Sequence, residues 1–398
     1  MIRRAGLTPT ILLMAGTHFI VDGYGNIFPP LLPVLVPSLH LSLAAAGTLA
    51  ACFQLAASVA QLGFGPIADR WRPRVLLVVG PLVSVALLSL IGLPRNAVEL
   101  GILLLVGGLG AAAFHPPAAA LVHRTSGPNK GTAMSVHITG GTLGQALAPL
   151  LFAPFVGRFG LGWTPVLAVP GLIVLAFALR HVPPIPREPH VREGGGFRGL
   201  RPYAVPLTLL YSIVVLRTLT SAAFSTFMPV MLTRRGLSVG QAGSVVAMYL
   251  FATGMGGFVG GPIADRFGAR RVIVWSLLAA VPFLAVAPAL SGWAFVLVVS
   301  AGGFLLQSTL PVNVTFGQSL APISAATVSS LMMGFAWGTG SMSVPFVGMV
   351  ADRIGIEPTL TAVALVPCLA ALLAWPLPAG RHVAPHAHAS DLAVPERA

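Results

Sequence analysis

The chain has 398 residues, of which 56% are hydrophobic and 8% are charged, whereas a soluble globular domain carries roughly 25% charged residues. Another 45 residues are glycine. These proportions argue strongly against a soluble enzyme and indicate an integral membrane protein. The net charge is +13, but no basic stripe with interleaved aromatic residues accompanies it, which argues against a nucleic-acid partner.

The cysteines and the start of the chain fit the same class. Cys52 and Cys368 both lie inside apolar runs, so the sequence predicts neither a disulfide framework nor a metal site. Arg3 and Arg4 precede an apolar run that extends to Pro37. That run is too long for the h-region of a cleaved signal peptide, and we interpret it as a retained first membrane span.

Twelve apolar runs follow one another, each long enough to cross or nearly cross a hydrocarbon core about 30 Å thick. We number them spans 1 to 12, with predicted bounds 8–36, 44–66, 75–93, 98–122, 131–157, 162–180, 204–232, 239–262, 272–289, 292–317, 323–349 and 357–376. Between spans 6 and 7, residues 181–203 are rich in proline, glycine and basic side chains, which predicts a polar cytoplasmic linker. Residues 379–398 are predicted to form a disordered tail whose histidines are solvated rather than metal-bound.

An internal repeat divides the spans into two halves. Residues 66–70, Pro-Ile-Ala-Asp-Arg, recur at 262–266, and the same offset of 196 carries Gly144 onto Gly340. Six spans per repeat is an even number, so the second copy enters the membrane from the same side as the first. The sequence therefore predicts an all-α membrane protein with twelve transmembrane helices in two six-helix pseudo-symmetric halves, 1–180 and 204–378.

The orientation follows from the basic residues. With the N-terminus inside, 17 of the 23 lysines and arginines fall in cytoplasmic segments and 5 fall outside, while Arg217 lies within a span. The positive-inside rule therefore predicts that both termini are cytoplasmic.

Two charged residues lie in the middle of spans. Nine of the ten acidic residues fall in loops, at span ends or in the tail, but Asp22 is central in span 1. Arg217 is central in span 7, 195 residues later. The repeat predicts that Asp22 and Arg217 face each other across the cleft between the halves. Intramembrane charges usually mark a functional polar pathway; a purely structural ion pair is the alternative.

Further ionisable groups accompany Asp22. His18 and Asn26 lie four residues before and after it, on the same helical face, and His115 and His137 lie in spans 4 and 5. We predict that Asp22 carries a proton and that His18 and His115 relay it.

Arg217 suits a phosphonate or carboxylate group, because its guanidinium fork matches such oxygens. Uncharged polar residues in the spans are further candidates. Hydrogen bonding between helices or anchoring at the membrane interface explains each of them, taken singly, equally well. The predicted substrate-binding set is Arg217, Asn26, Tyr24, His137, Gln145, Tyr211, Asn313 and Trp337.

Motifs of other protein classes are missing from the sequence. It has no Walker lysine motif, no HExxH, no GxSxG and no pair of buried carboxylates, so we predict neither an ATP-driven motor nor an enzyme, and no cofactor.

The loop between spans 2 and 3, Gly65 to Arg74, resembles the loop 2–3 motif of the major facilitator superfamily, and Gly261 to Arg271 resembles its loop 8–9 copy. Physically, such a loop can clamp two helix ends through Asp–Arg contacts and gate the transporter; topogenic charge alone is the alternative. The gating residues that the resemblance implies are Asp69, Arg70, Arg74, Asp265, Arg266 and Arg270.

Residues 18–24, 29–33 and 114–116 resemble the fosmidomycin-resistance branch of bacterial efflux carriers, and the region from Gly144 to Pro149 is similar to the span 5 motif of antiporters. The resemblance implies drug export driven by inward proton movement.

The sequence as a whole predicts a proton-coupled secondary transporter in the bacterial inner membrane. It would act as a monomer that exports a small drug-like or anionic compound by antiport and alternating access. A cationic drug that competes with the proton at Asp22 gives antiport, whereas an anion that draws Arg217 away from Asp22 would give symport. Uniport and a non-transporting sensor are further alternatives, although no soluble signalling domain is visible.

Overall fold

The computed structural model describes residues 8–70, 73–126, 130–182, 198–321 and 325–378. Within these ranges every regular element is helical. The helices group into twelve consecutive segments that correspond to the twelve predicted spans. The predicted tail, 379–398, and residues 183–197 of the predicted linker lie outside the described residues.

The helices that make up spans 1 to 6 are Pro9–Gly25, Phe28–Ser38, Leu43–Val59, Gln61–Arg70, Pro73–Leu88, Ala97–Thr125, Lys130–Phe159, Leu161–Leu167 and Ala168–Arg180. A short helix, Arg198–Tyr203, leads into spans 7 to 12, which are Ala204–Arg234, Val239–Phe267, Ala269–Val286, Ala287–Ala289, Gly292–Gln307, Thr309–Leu320, Ala325–Ser329, Ser330–Phe335, Ala336–Ser341, Val344–Ile354, Ile356–Val363 and Val366–Ala374.

In the described part of the chain, nine of the twelve segments are long and apolar enough to cross a membrane. Of the others, Pro73–Leu88 is shorter, Lys130–Phe159 is less apolar, and the segment 325–354 is interrupted by a π-helical turn at Ser330–Phe335. Large apolar side chains stay exposed along the outer surface, for example Val98 and Trp293 at 71%. Such a surface belongs in lipid.

Short polar side chains fix where several spans begin. Thr8, Ser42 and Asn96 each accept a hydrogen bond from a backbone N–H three residues further on, and Ser238 forms a capping box. These caps satisfy N–H groups that the first helical turn leaves unpaired. The twelve segments alternate in direction, so the start of the first segment and the end of the last lie at the same end of the bundle. We call this the termini end and the opposite one the far end.

Span 1 is one apolar stretch, Pro9–Ser38, and its helix is interrupted after Gly25. The first helix ends at Gly25 and the second begins at Phe28. Pro29 and Pro30 follow directly, in the first helical turn, where a missing N–H costs no hydrogen bond. The break leaves the amide of Asn26 free to reach span 5.

Spans 1 and 5 pack with their backbones in contact. A Cβ atom added at Gly140 would overlap the carbonyl oxygen of Ala15, and one at Gly144 would overlap that of Phe19. Small residues permit such close approach between membrane helices. The packing brings the middle of span 5 against the face of span 1 that carries Asp22.

Two seams join the first six spans to the last six. Where spans 5 and 8 meet, a Cβ at Gly243 would lie 2.8 Å from the carbonyl oxygen of Pro149. Where spans 2 and 11 meet, a Cβ at Gly47 would lie 2.7 Å from that of Val344. Both contacts lie towards the far end of the bundle.

Candidate functional site

The carboxylate of Asp22 lies between two imidazoles. Nε2 of His18, one turn earlier on span 1, is 3.2 Å from Oδ2 of Asp22, and Nε2 of His115 on span 4 is 3.5 Å from Oδ1. The Asp22 side chain is only 14% exposed. The structure therefore brings together the three residues predicted to handle protons; that role itself stays a prediction.

A backbone contact orients the His18 ring. Its Nδ1 lies 2.9 Å from the carbonyl oxygen of His137. A carbonyl oxygen only accepts hydrogen bonds, so this partner assigns a proton to Nδ1 and points Nε2 at Asp22. An ionised carboxylate also only accepts. The contact between Nε2 and Oδ2 is thus satisfied when one further proton lies between the two atoms.

Gln145 of span 5 completes the surroundings of Asp22. Its Nε2 donates to Oδ2 of Asp22 at 2.9 Å, and its backbone oxygen accepts a hydrogen bond from Nδ2 of Asn26 at 3.0 Å. Gln145 also lines a cavity in the middle of the bundle, whereas Asp22 and its histidines do not. Gln145 therefore connects the carboxylate to the cavity.

The side chains of His18, Asp22 and His115 also carry atoms of the kind that bind metal ions. In the described residues, the ligand atoms of His18, Asp22 and His115 lie within 4.8 Å of one another. Contacts with His18 and Gln145 already engage Oδ2 of this carboxylate.

Gly141 is required for this arrangement. A Cβ atom there would lie 2.5 Å from Nε2 of His18 and 2.7 Å from Oδ2 of Asp22. We expect Gly141→Ala to push the imidazole and the carboxylate apart, and hence to reduce pH-driven transport in reconstituted liposomes severely. Gly157→Ala on the same helix is the matched control, because its Cβ would make only ordinary contacts, at 3.7 Å. Equal transport by both variants would contradict the requirement.

Arg217 is buried in the second half of the chain, with 1% of its surface exposed. One Nη atom donates to the side-chain oxygen of Gln307, and the other donates to Oγ1 of Thr218 at 3.2 Å. The Trp337 ring lies 5.6 Å from the guanidinium carbon, within range of a cation–π interaction. Within the described residues Arg217 has no carboxylate partner. Its positive charge is therefore stabilised by neutral groups alone.

One cavity of about 180 Å³ lies beside both sites. Its lining includes Asn26 and Gln145 from the first half and Arg217, Gln307 and Trp337 from the second. None of the lining residues in the described chain is acidic. The cavity thus has a positive potential on the wall that Arg217 forms.

The expected meeting of Asp22 and Arg217 is not found. Asp22 pairs with histidines of the first half, Arg217 bonds to Gln307 of its own, second half, and no ion pair joins Asp22 to Arg217 in the described structure. The repeat predicts equal depth in the membrane but not the direction of a side chain. Each charge finds nearer partners on helices packed against its own span.

The other predicted substrate ligands lie apart from the cavity. The hydroxyl of Tyr24 donates to the carbonyl of Leu167 and ties span 1 to span 6. Tyr211 bonds to Thr339 at 2.7 Å, and His137 and Asn313 are buried outside the cavity lining. Of the predicted set, Arg217, Asn26, Gln145 and Trp337 line the cavity. No measurement yet tests their role in binding.

The predicted gating residues are only partly visible. The side chains of Asp69 and Arg70 lie outside the described part of the structure. Arg74, Asp265 and Arg266 are exposed, and Arg270 stands over the Trp375 ring at 5.6 Å. Among the described side chains none of these forms an Asp–Arg pair, and gating by them stays a prediction.

One hydrogen-bonded contact between the two halves was not predicted from the sequence. Asp352, in the last turn of span 11, accepts hydrogen bonds from the backbone N–H groups of Leu43 and Ala44 at the start of span 2. Many charged residues that only orient a chain in the membrane also lie at span ends, so Asp352 next to Arg353 does not stand out. Its partner lies 309 residues away, and no sequence pattern near Asp352 indicates that contact.

Twelve membrane-spanning segments around a central cavity that is lined by the buried Arg217 define a membrane transport protein. The model of the Major Facilitator Superfamily matches residues 14–216 and 210–311, and the chain belongs to this family. The family consists of transporters for small molecules, not of enzymes.

Two curated relatives cover nearly the whole chain. An uncharacterised MFS-type transporter of Bacillus subtilis, YfnC, is 29% identical over 95% of both chains. The fosmidomycin resistance protein of Escherichia coli is 28% identical over 92% of both chains. The resemblance to that branch noted in the sequence is thereby confirmed.

Solved structures show the same fold. A bacterial homologue of the human lysosomal transporter Spinster superposes with a TM-score of 0.75 at 18% identity and covers 92% of this chain and 95% of its own. The nucleoside transporter NupG superposes with a TM-score of 0.76 at 13% identity, covering 92% and 98%. The predicted twelve-helix major facilitator fold is confirmed.

Proposed function

We propose that this transporter is a proton-coupled antiporter that exports a small drug-like or anionic compound by alternating access. The observation that carries the proposal is that Arg217, a guanidinium without a carboxylate partner in the described structure, lines the central cavity, while the His18–Asp22 pair lies behind the cavity wall and is joined to it through Gln145. Each is costly to keep inside a membrane without a function. A cycle that exchanges a proton for a substrate uses both.

The proton side of the proposal rests on the geometry around Asp22. A proton between Nε2 of His18 and Oδ2 of Asp22 satisfies both atoms, and its loss leaves two acceptors facing each other. Nε2 of His115, 3.5 Å from the other carboxylate oxygen, is placed to pass the proton on. Hydrogen-bonded carboxylate and imidazole groups of this kind are typical of proton relays in membranes.

The substrate side rests on Arg217. Its guanidinium lines a cavity without acidic residues and bonds only to neutral oxygens. A phosphonate or carboxylate supplies paired oxygens that match the fork and remove the uncompensated charge. The volume of about 180 Å³ suits a compound of roughly ten non-hydrogen atoms.

Antiport is favoured over symport by one observation. The symport route starts from an Asp22–Arg217 ion pair that an anionic substrate would break, and the structure has no such pair. The resistance protein of Escherichia coli and the antiporter-like sequence from Gly144 to Pro149 agree with export.

We further propose that the chain acts as a monomer in the bacterial inner membrane, with both termini and the linker 181–203 in the cytoplasm. The six-span halves 1–180 and 204–378 then rock about the cavity as two bodies. All groups that the cycle needs come from one chain.

Transport into liposomes tests the proposal. Purified protein is reconstituted, and fosmidomycin, methylphosphonate, benzoate and tetraphenylphosphonium are offered outside vesicles whose interior is acidic, neutral or alkaline. An antiporter of anions accumulates a phosphonate or benzoate in the acid-loaded vesicles. Accumulation in alkaline vesicles above that of protein-free vesicles would indicate symport instead, and protein-dependent accumulation that ignores the pH gradient would contradict proton coupling.

A further inference from the structure

Asp352 bridges the two halves of the chain at the far end of the bundle. Its Oδ1 accepts a hydrogen bond from the backbone N–H of Leu43 at 2.9 Å, and its Oδ2 accepts one from Ala44 at 3.0 Å. Asp352 belongs to span 11, whereas Leu43 and Ala44 begin span 2. One carboxylate thus holds a helix of the opposite half by two bonds.

The bonding capacity of the helix start explains the strength of this contact. The first N–H groups of a helix have no partner within it, and Ser42 satisfies only that of Ala45, at 3.0 Å. Asp352 takes the two groups that remain. A negative carboxylate is also favoured at the positive end of the helix dipole, so the cap of span 2 is shared between residues of both halves.

Close backbone packing surrounds the shared cap. A Cβ atom at Gly348 would overlap the carbonyl oxygen of Leu43, and one at Gly47 would lie 2.7 Å from that of Val344. Ala50 and Val344 line the cavity, and Leu43 lies seven residues, about 10 Å, further along the helix. The contact between spans 2 and 11 therefore closes the cavity towards the far end.

We propose that Asp352 is a latch: its two hydrogen bonds to span 2 hold the cavity closed at the far end, and they break each time the transporter opens there. The latch rests on the alternating-access part of the proposed function but on neither the proton site nor the substrate. It differs from the predicted Asp–Arg gates, which lie in loops at the termini end.

Distance measurements between spin labels test the latch without any substrate. Labels replace Trp163 and Trp293, which are exposed at the far end on opposite halves, after Cys52 and Cys368 are changed to serine. We expect Asp352→Ala to raise the ratio of long to short distances at least about tenfold, because two charge-assisted bonds are lost. Asp352→Asn, which keeps one acceptor oxygen, gives an intermediate shift.

Two controls separate a latch from general damage. Ser42→Ala removes a cap from the same helix end without touching the other half, and Arg353→Ala removes the neighbouring charge; both keep the wild-type distances. An unchanged distribution in Asp352→Ala, or an equal shift in Ser42→Ala, overturns the latch. Neither result bears on proton coupling, which the liposome assay of the wild-type protein tests separately.

Discussion

Replacing Asp22 by asparagine is expected to abolish transport driven by a pH gradient while leaving counterflow exchange of substrate intact. Asparagine has the shape of the carboxylate. Its amide oxygen in the position of Oδ2 can still accept from Gln145, and its amide nitrogen in the position of Oδ1 can donate to Nε2 of His115, so these contacts of Asp22 persist. Asparagine cannot take up and release a proton. Accumulation in acid-loaded liposomes should fall to the level of protein-free vesicles, whereas exchange across vesicles with equal pH should stay near that of the wild type.

Glu99→Gln is the matched control for this substitution. Glu99 is an exposed carboxylate in the first turn of the helix Ala97–Thr125, and in the described structure it bonds to Arg95 and Asn96 just before that helix. The control should retain both activities. Retained pH-driven accumulation in Asp22→Asn, or loss of exchange together with it, would contradict the role of Asp22 as the proton carrier.

Local sequence patterns were sufficient for the elements of the fold. Hydrophobic length places the spans, and the spacing of four residues places His18, Asp22 and Asn26 on one face of span 1. The prolines after Phe28 explain why span 1 breaks, but a continuous apolar run does not reveal the break by itself. The span lengths and the spacing in span 1 depend on residues that are close in sequence, which is why they could be predicted.

Contacts between distant segments were harder to foresee. The approach of His115 to Asp22 depends on how spans 1, 4 and 5 pack, and Gly141 matters only because that packing leaves no room for a Cβ atom. Pseudo-symmetry correctly equated the positions of Asp22 and Arg217 along their helices, yet it could not determine which neighbours each side chain bonds. The partner of Asp352 is likewise fixed by tertiary structure alone.

In the proposed function the two sites play unequal parts in coupling. Asp22 is shielded from the cavity, and among its hydrogen-bond partners Gln145 alone lines the cavity wall. Arg217 lines the same cavity directly. Under the proposed function a substrate would therefore meet the guanidinium first, and its effect on the proton site would pass through the span 5 amide or through movement of the halves.

Replacing Arg217 by lysine is expected to weaken binding of phosphonates and carboxylates roughly 10- to 100-fold, because a charged hydrogen bond contributes about 1.5–3 kcal/mol. Lysine keeps the positive charge but loses the planar fork and its contact with the Trp337 ring, which together orient paired oxygens. Arg217→Gln removes the charge as well, and binding should fall further. Titration calorimetry of the purified variants with fosmidomycin and methylphosphonate measures both effects.

Arg234→Lys provides the comparison, since Arg234 is an exposed arginine at the far end of the same helix. Its affinity for either compound should match that of the wild type. Because the Asp22 network contains no atom of Arg217, the Arg217 variants should still take up a proton at that site. Anion affinity that is unchanged in Arg217→Gln would remove this residue from the binding site and leave the cavity to neutral or cationic compounds.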